Sequence, residues 1–325
     1  MLPCRILGTG AHLPGPVLDN EAVVALSPGV CEPVWIEQWT GIVGRHHAGP
    51  EDTVASLATR AAKDALANAG VTPGALSRVL LATSTGGDRP GPATATQVGL
   101  ALGTTCATMD IANGCHGWLS AFDLAARLIA TGEGPVLIVG AELLSRRFLN
   151  RRDRRTWPLF GDGAAAVVLG PAQGDGGVIA SVHETRGEHF RALFAPGLDD
   201  PERAEGPWIR FEASGGDMRE YVERLLPPVL ERALAQAGLQ LADIDHVAPH
   251  QPNALWLDRL CARLGLDPAR VPRIVDQTAN IPSAMVPLGL DALRRGPRPP
   301  APGEHVLLFA IGAGVSLGAM VLRVD

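Results

Sequence analysis

Met109-Asp110-Ile111-Ala112-Asn113-Gly114-Cys115-His116-Gly117-Trp118 places one cysteine between glycines, after a strand-like run and ahead of an apolar-periodic segment, 119–131. That periodicity predicts a helix over 119–131. A thiol at a helix N-terminus sits where unpaired N–H groups and the macrodipole favour negative charge. Thiolate is the nucleophilic form of cysteine, so the location itself activates the sulfur. Two distant segments offer partners: Val247-Ala248-Pro249-His250-Gln251-Pro252-Asn253 and Gln277-Thr278-Ala279-Asn280-Ile281-Pro282-Ser283-Ala284. A Cys/His/Asn set widely separated in sequence is a plausible nucleophile system, because its members need only be close in space.

Outward from that stretch, strand-like and helix-like runs alternate. Residues 51–69 read as an amphipathic helix with Val54, Leu57, Ala58, Ala61, Ala62 and Leu66 near one face. Residues 77–84, 134–139 and 163–170 read as buried strands. The second half repeats the theme, with helices over 217–238 and 255–264 and strands over 244–249, 305–310 and 319–324. Such alternation argues for α/β layers. A Gly-, Pro- and polar-rich stretch near 170–177 divides the chain into 1–172, which carries the cysteine, and 173–325, which carries the histidine and asparagine.

Composition narrows the class. A chain of 325 residues can bury a large core. The net charge of −6, with no basic stripe interleaved with aromatics, argues against nucleic acid as a partner. Apolar runs are strand-length and glycine-bounded, too short to span a bilayer, and no secretory signal opens the chain. The five cysteines have no metal-like spacing. A reducing, cytoplasmic setting with free thiols and no structural zinc is expected.

A free cysteine is more often a small buried hydrophobe than a nucleophile, and Cys106 and Cys261 keep that reading. Cys115 departs from it through its helix-start position and flanking glycines. Acyl transfer to a thiol passes through an oxyanion, and carbon–carbon bond formation at the α-carbon of a thioester passes through an enolate. An imidazole Nε2–H and a carboxamide are neutral donors that stabilise an enolate without being titrated away. A carboxylate at position 280 would repel the developing charge, so Asn280 leans toward Claisen condensation.

The three segments, in this order and at these intervals, resemble β-ketoacyl-acyl-carrier-protein synthase III, the condensing enzymes of the thiolase fold that start fatty-acid and some polyketide chains. The resemblance spans nearly the whole chain: Ile6-Leu7-Gly8-Thr9-Gly10 with Leu13-Pro14, Trp35-Ile36 with Thr40-Gly41-Ile42 and Arg45, Phe160-Gly161-Asp162-Gly163-Ala164-Ala165, and Ile311-Gly312-Ala313-Gly314 with Gly318. It implies two similar βαβαβ-type halves forming a five-layered αβαβα sandwich. It implies that Cys115 takes an acyl group from acyl-CoA, and that His250 and Asn280 stabilise the enolate of a malonyl thioester, most simply malonyl-ACP. The N–H groups of Cys115 and Ala313 would form the oxyanion hole. Trp35, Arg154 and Asn253 would contact coenzyme A, and Arg259 and Arg263, one turn apart on a helix, would dock the acidic carrier protein. The family is homodimeric and needs no metal or redox cofactor.

Four positions depart from the family pattern: Trp39 where an arginine is frequent, Leu255 in place of the first basic docking residue, His116 after the nucleophile, and Gly91 where a bulkier residue from a partner subunit can close the acyl pocket. These departures leave room for an acyltransferase that passes its acyl group to an alcohol, an amine or a second carrier protein. A non-catalytic thiolase-fold partner is the third reading. The intact Cys/His/Asn set counts against it.

Overall fold

The computed structural model describes residues 1–214 and 220–325. The first residues of the expected helix 217–238, up to 219, therefore lie outside the described residues. Two sheets organise the chain. The first half supplies β1 (Cys4–His12), β2 (Leu18–Asp19), α1 (Asn20–Ala25), α2 (Pro33–Thr40), β3 (Gly44–Arg45), α3 (Val54–Ala69), β4 (Arg78–Ala82), α4 (Thr94–Leu102), β5 (Ala107–Ile111), α5 (Gly117–Ala130), β6 (Val136–Glu142) and β7 (Gly163–Pro171). The remainder supplies β8 (Gly177–Thr185), β9 (Leu193–Phe194), β10 (Arg210–Phe211), α6 (Leu226–Ala237), β11 (His246–Pro249), α7 (Ala254–Leu264), α8 (Val275–Thr278), α9 (Met285–Arg295), β12 (His305–Gly312) and β13 (Ser316–Arg323).

The larger sheet runs β1-β7-β6-β4-β5, and the second runs β11-β12-β13-β8. Strands β4, β5 and β6 are parallel, as are β11 and β12. Parallel strands need crossover helices on the sheet faces, and the packing follows. Helix α3 buries Val54, Leu57, Ala58, Ala61, Ala62 and Ala65 against Val79, Leu81, Val139 and Val168 on the outer face of the first sheet. Helices α6 and α7 cover the outer face of the second sheet through Leu226, Val229, Leu257 and Leu260. Between the sheets lie α5 and α9. Trp118, Phe122, Ala125, Val286 and Leu290 contact Leu80 and Ile138 on one side and Leu308 and Met320 on the other. A helix enclosed on two sides must be apolar over most of its surface, and α5 is, apart from one polar stripe of Ser120, Asp123 and Arg127.

Local chemistry sets the element ends. Thr53 and Ser56 close a capping box at the start of α3, with Ser56 N–H donating to Thr53 Oγ1 at 3.0 Å and Thr53 N–H to Ser56 Oγ at 2.9 Å. Every strand expected from the sequence forms, with ends displaced by up to three residues because pairing, not hydropathy, terminates a ladder. The expected helix 217–238 is regular only from Leu226, after a wider helical turn at Tyr221–Leu225. Pro227 and Pro228 have no N–H to give, so the first regular turn starts where those missing donors cost nothing.

Candidate active site

Cys115 lies in the short turn Gly114–His116 that leads into α5. Gly312 and Ala313, at the end of β12, press against this turn. A Cβ on Gly312 would lie 3.1 Å from the Cys115 nitrogen and 2.9 Å from the His116 nitrogen, so only glycine lets the two backbones approach so closely. The approach brings the N–H of Ala313 beside the N–H of Cys115, both within reach of the thiol. Burial pushes the Cys115 thiol up to about 12, the nearby Glu142 carboxylate pushes the same way, and the two N–H groups oppose them. The thiol is therefore protonated at rest. A fixed pair of N–H donors waits for negative charge that appears only during reaction.

His250 follows β11, and its backbone N–H donates to Phe309 O at 2.8 Å. Burial alone lowers its ring to about 3, so the imidazole is neutral. Its Nδ1 has no hydrogen-bond partner among the described residues, nor does Asn280 Oδ1, although both atoms are buried. No protein group thus dictates which ring nitrogen carries the proton, and a bound oxyanion can claim the Nε2–H. Asn280 is held by its main chain: its N–H donates to Leu159 O at 3.0 Å, and Gly161 N–H donates to its carbonyl at 2.9 Å. Ala279, just before it, sits at φ 52°, a left-handed conformation costly for a residue with a Cβ.

The Phe-Gly-Asp-Gly loop supports that arrangement. Buried Asp162 accepts from Ala48 N–H and Leu144 N–H, each at 2.7 Å, from Ser145 N–H at 2.9 Å, and from Ser145 Oγ. One carboxylate thereby ties two segments, one at Ala48 and one at Leu144–Ser145, to the loop that carries Phe160 and Gly161 beside Asn280. The Thr40-Gly41-Ile42 block ends α2: Thr40 Oγ1 donates to Ile36 O at 2.6 Å, and Gly41 takes the left-handed cap at φ 66°. Arg45 is fully buried and donates to Asn20 Oδ1 at 2.7 Å and to Pro158 O at 2.9 Å. Its charge is structural.

Cys115, His250, Asn280 and Ala313 all line one cavity of about 940 Å³. Asn253 lines it too, with its Oδ1 accepting from Trp256 N–H at 2.8 Å as the N-cap of α7. Arg259 and Arg263 stand on α7 at the same cavity. Asp258, on the same helix, pairs with Arg273, which reaches it from the loop before α8, rather than with either of them. Arg259 makes no side-chain hydrogen bond or ion pair among the described residues, and Arg263 donates to Glu223 O at 3.2 Å. Trp35 and Arg154 come together, with the guanidinium 5.4 Å from the ring centroid, but neither is part of the cavity wall. Trp39 and Arg155 hold that position, and Trp39 is 66% exposed.

Two features escaped sequence reasoning. Glu142, at the end of β6, is fully buried and accepts from Ser84 Oγ at 2.6 Å and from the N–H groups of Ser84 and Ser283 at 3.0 and 3.1 Å. Nothing in its local pattern marks it. The second surrounds His116. Its Nδ1 accepts from Asn113 Nδ2 and Ser120 Oγ at 3.0 and 3.1 Å, and its Nε2 lies 2.9 Å from His183 Nδ1. His183 Nε2 lies 2.9 Å from Ser181 Oγ, which donates to Asp123 Oδ1 at 2.6 Å. With both rings neutral, as burial enforces, one set of donors runs His116→His183→Ser181→Asp123 and gives each proton an acceptor. Gly318 makes this possible, since a Cβ there would lie 2.7 Å from His183 Nδ1 and closer still to His116 Nε2. Among the described residues no group of three or more His, Cys, Asp and Glu is placed to hold a metal ion. No helix among them is long and apolar enough to cross a membrane.

Residues 109–187 match the family model for 3-oxoacyl-[acyl-carrier-protein (ACP)] synthase III, and residues 234–324 match the model for the C-terminal part of the same enzymes. The chain is 38% identical to a β-ketoacyl-[acyl-carrier-protein] synthase III of Rhizorhabdus wittichii over 321 residues, 98% of each protein. It is 37% identical to acetoacetyl CoA synthase NphT7 of Streptomyces sp. (strain CL190), over 96% of each. Among solved structures, the 3-oxoacyl-[acyl-carrier-protein] synthase III of Aquifex aeolicus superposes with a TM-score of 0.90 at 31% identity, covering 98% of this chain and 99% of that one.

Proposed function

The chain belongs to the β-ketoacyl-acyl-carrier-protein synthase III family, and from that premise we propose that Cys115, His250 and Asn280 carry out its decarboxylative condensation. The observation behind the residue roles is the convergence of Cys115, His250, Asn280 and Ala313 on one cavity. The fold is the α/β thiolase fold of the family.

Acyl-CoA binds with its thioester carbon against Sγ. The Cys115 proton leaves as the C–S bond forms, and the carbonyl oxygen, now an oxyanion, takes the N–H groups of Cys115 and Ala313. Collapse expels the coenzyme A thiolate, which carries off the proton and leaves an acyl-Cys115 thioester. A malonyl thioester, most simply malonyl-ACP, then enters. Its C–CO₂ bond breaks, CO₂ departs, and the electron pair moves into an enolate whose oxygen accepts from the His250 Nε2–H and the Asn280 carboxamide. The enolate carbon attacks the acyl-Cys115 carbonyl, the C–S bond breaks, the departing Cys115 thiolate takes a proton from solvent, and a β-ketoacyl thioester leaves. Because His250 and Asn280 are neutral donors, neither must change protonation for the enolate to form.

Trp35, Arg154 and Asn253 are read as coenzyme A contacts and Arg259 and Arg263 as the carrier-protein contact, with no metal or redox group involved. Arg259, without a side-chain hydrogen bond or ion pair among the described residues, suits an acidic partner. The two halves, 1–172 and 173–325, each contribute one sheet and one side of the site. Strand β5 is an edge with Met109 41% exposed. An uncovered edge is a pairing template, which supports a homodimer formed there. A cytoplasmic location fits the absence of any spanning helix among the described residues.

Intact-protein mass spectrometry with a panel of acyl-CoAs, followed by malonyl-ACP, tests the reading. The expected result is an acyl mass shift absent from Cys115→Ala, then discharge into a β-ketoacyl product with CO₂. Discharge to another acceptor without CO₂ would transfer the assignment to a simple acyltransferase.

A further inference from the structure

A second cavity, of about 390 Å³, lies where β1, α9, β12, β13 and the end of the chain meet. Its wall shares no residue with that of the Cys115 cavity. Its apolar floor comes from Leu7, Phe122, Leu290 and Val306, and the last three are buried core residues. Three guanidinium groups, of Arg5, Arg294 and Arg323, line it as well.

Two of these three cations lack, among the described residues, the side-chain partners that most arginines of this chain have. Arg294 and Arg323 make no side-chain hydrogen bond or ion pair among the described residues. The nearest acid along the helix from Arg294 is Asp291, which is taken by Thr9 Oγ1 at 2.7 Å and by Arg295 Nε at 2.8 Å. Arg5 Nε is buried without a hydrogen-bond partner and stands 3.9 Å from Asp325 Oδ2. The Asp325 carboxylate is itself occupied by the N–H groups of Gln173 at 2.8 Å and Gly174 at 2.7 Å. The three arginines of the cavity outnumber its one carboxylate side chain, that of Asp325.

Guanidinium groups present paired N–H donors that match a carboxylate, and the match is strongest where water is partly excluded. A void of this size falls within the roughly 300–1,000 Å³ of small-molecule sites. We propose that this cavity is a second ligand site, which binds a small aliphatic carboxylate with its chain on the Phe122–Leu290 floor and its anionic end on Arg294, Arg323 and Arg5. The site opens beside β1, the sheet edge opposite β5, so a partner copy paired at β5 leaves it open.

Isothermal titration with hexanoate tests the proposal on the full chain. Wild-type protein should give a saturable one-site isotherm. Hexanamide, the same shape without charge, should bind at least tenfold more weakly. The double variant Arg294→Gln/Arg323→Gln should lose hexanoate affinity to the same extent while keeping its unfolding midpoint, because both side chains lack structural partners. Phe211→Ala, which alters only the Cys115 cavity, should leave the isotherm unchanged. Equal affinity for acid and amide, retention in the arginine variant, or loss in Phe211→Ala each overturns the assignment. So does a failure to bind hexanoate at all. None of these results depends on the condensation reaction.

Discussion

Gly318→Ala is the sharpest probe of the polar chain behind the nucleophile. The backbone at 318 is extended strand, so alanine adds no dihedral strain. The added methyl would instead sit between two rings, 2.7 Å from His183 Nδ1 and nearer to His116 Nε2. Those rings are held by hydrogen bonds to Asn113, Ser120 and Ser181, so they cannot swing aside without breaking one. Overpacking of a tight interior costs about 1–3 kcal/mol, and a lost neutral hydrogen bond adds about 1 kcal/mol. The substitution should therefore destabilise the protein by roughly 2–4 kcal/mol by these two effects together. The assay is urea unfolding of four proteins: wild type, Gly318→Ala, His183→Ala and the double variant. Removing the His183 ring relieves one of the two clashes, so in the His183→Ala background Gly318→Ala should cost at least about 0.5 kcal/mol less than in wild type, a coupling typical of contacting residues. Because His116 adjoins Cys115, single-turnover acylation should slow in Gly318→Ala and partly recover in the double variant. Equal costs of Gly318→Ala in both backgrounds would refute the reasoning, since the clash would then lie elsewhere.

Three further outcomes are expected. With the Cys115 thiol raised to about 12 by burial, its alkylation by iodoacetamide should accelerate about tenfold per pH unit from pH 6 to 9, as thiolate fraction does below its pKa; a plateau near neutrality would reveal an ion pair with His250 instead. Asn280→Asp replaces a donor with a carboxylate, so CO₂ release from malonyl-ACP should fall at least ~100-fold, the scale of losing one oxyanion donor, while acylation of Cys115 changes far less; parallel losses would remove Asn280 from the enolate step. Asp162→Asn turns an amide toward N–H groups that now meet a carboxylate oxygen, and since hydrogen bonds to charged groups contribute about 1.5–3 kcal/mol each, the urea midpoint should drop by the equivalent of about 3 kcal/mol or more; an unchanged midpoint would show that the loop does not depend on that charge.

Much of the site could be read before any coordinates, because its chemistry is punctuated locally. Glycines flank Cys115, and His250 and Asn280 each follow a strand-like run. The helix behind the nucleophile and the strands around it carry hydrophobic periodicity that survives folding. What could not be read depends on partners remote in sequence. His183 shows no motif, and it matters because antiparallel pairing of β13 with β8 sets it opposite Gly318. Glu142 looks like any residue at a strand end until Ser84 and Ser283 close over it. Asp258 seemed a natural partner for the arginines of its own helix, yet Arg273 reaches it from another loop. That Trp39 and Arg155 line the cavity while Trp35 and Arg154 stack beside it has the same origin, because which residues meet is settled by tertiary packing.

The enclosure of Cys115 also bears on its durability. Peroxide attacks thiolates, and the ladder from sulfenic to sulfonic acid begins only where the sulfur is both ionised and reachable. A sulfur that burial keeps protonated lacks the first of these conditions while the enzyme is idle. The N–H groups of Cys115 and Ala313 reach the resting sulfur as well, but burial outweighs them and the thiol stays protonated. The protein thus separates nucleophilic power during turnover from oxidative vulnerability between turnovers, and can be expected to survive hydrogen peroxide exposures that inactivate enzymes with a standing thiolate.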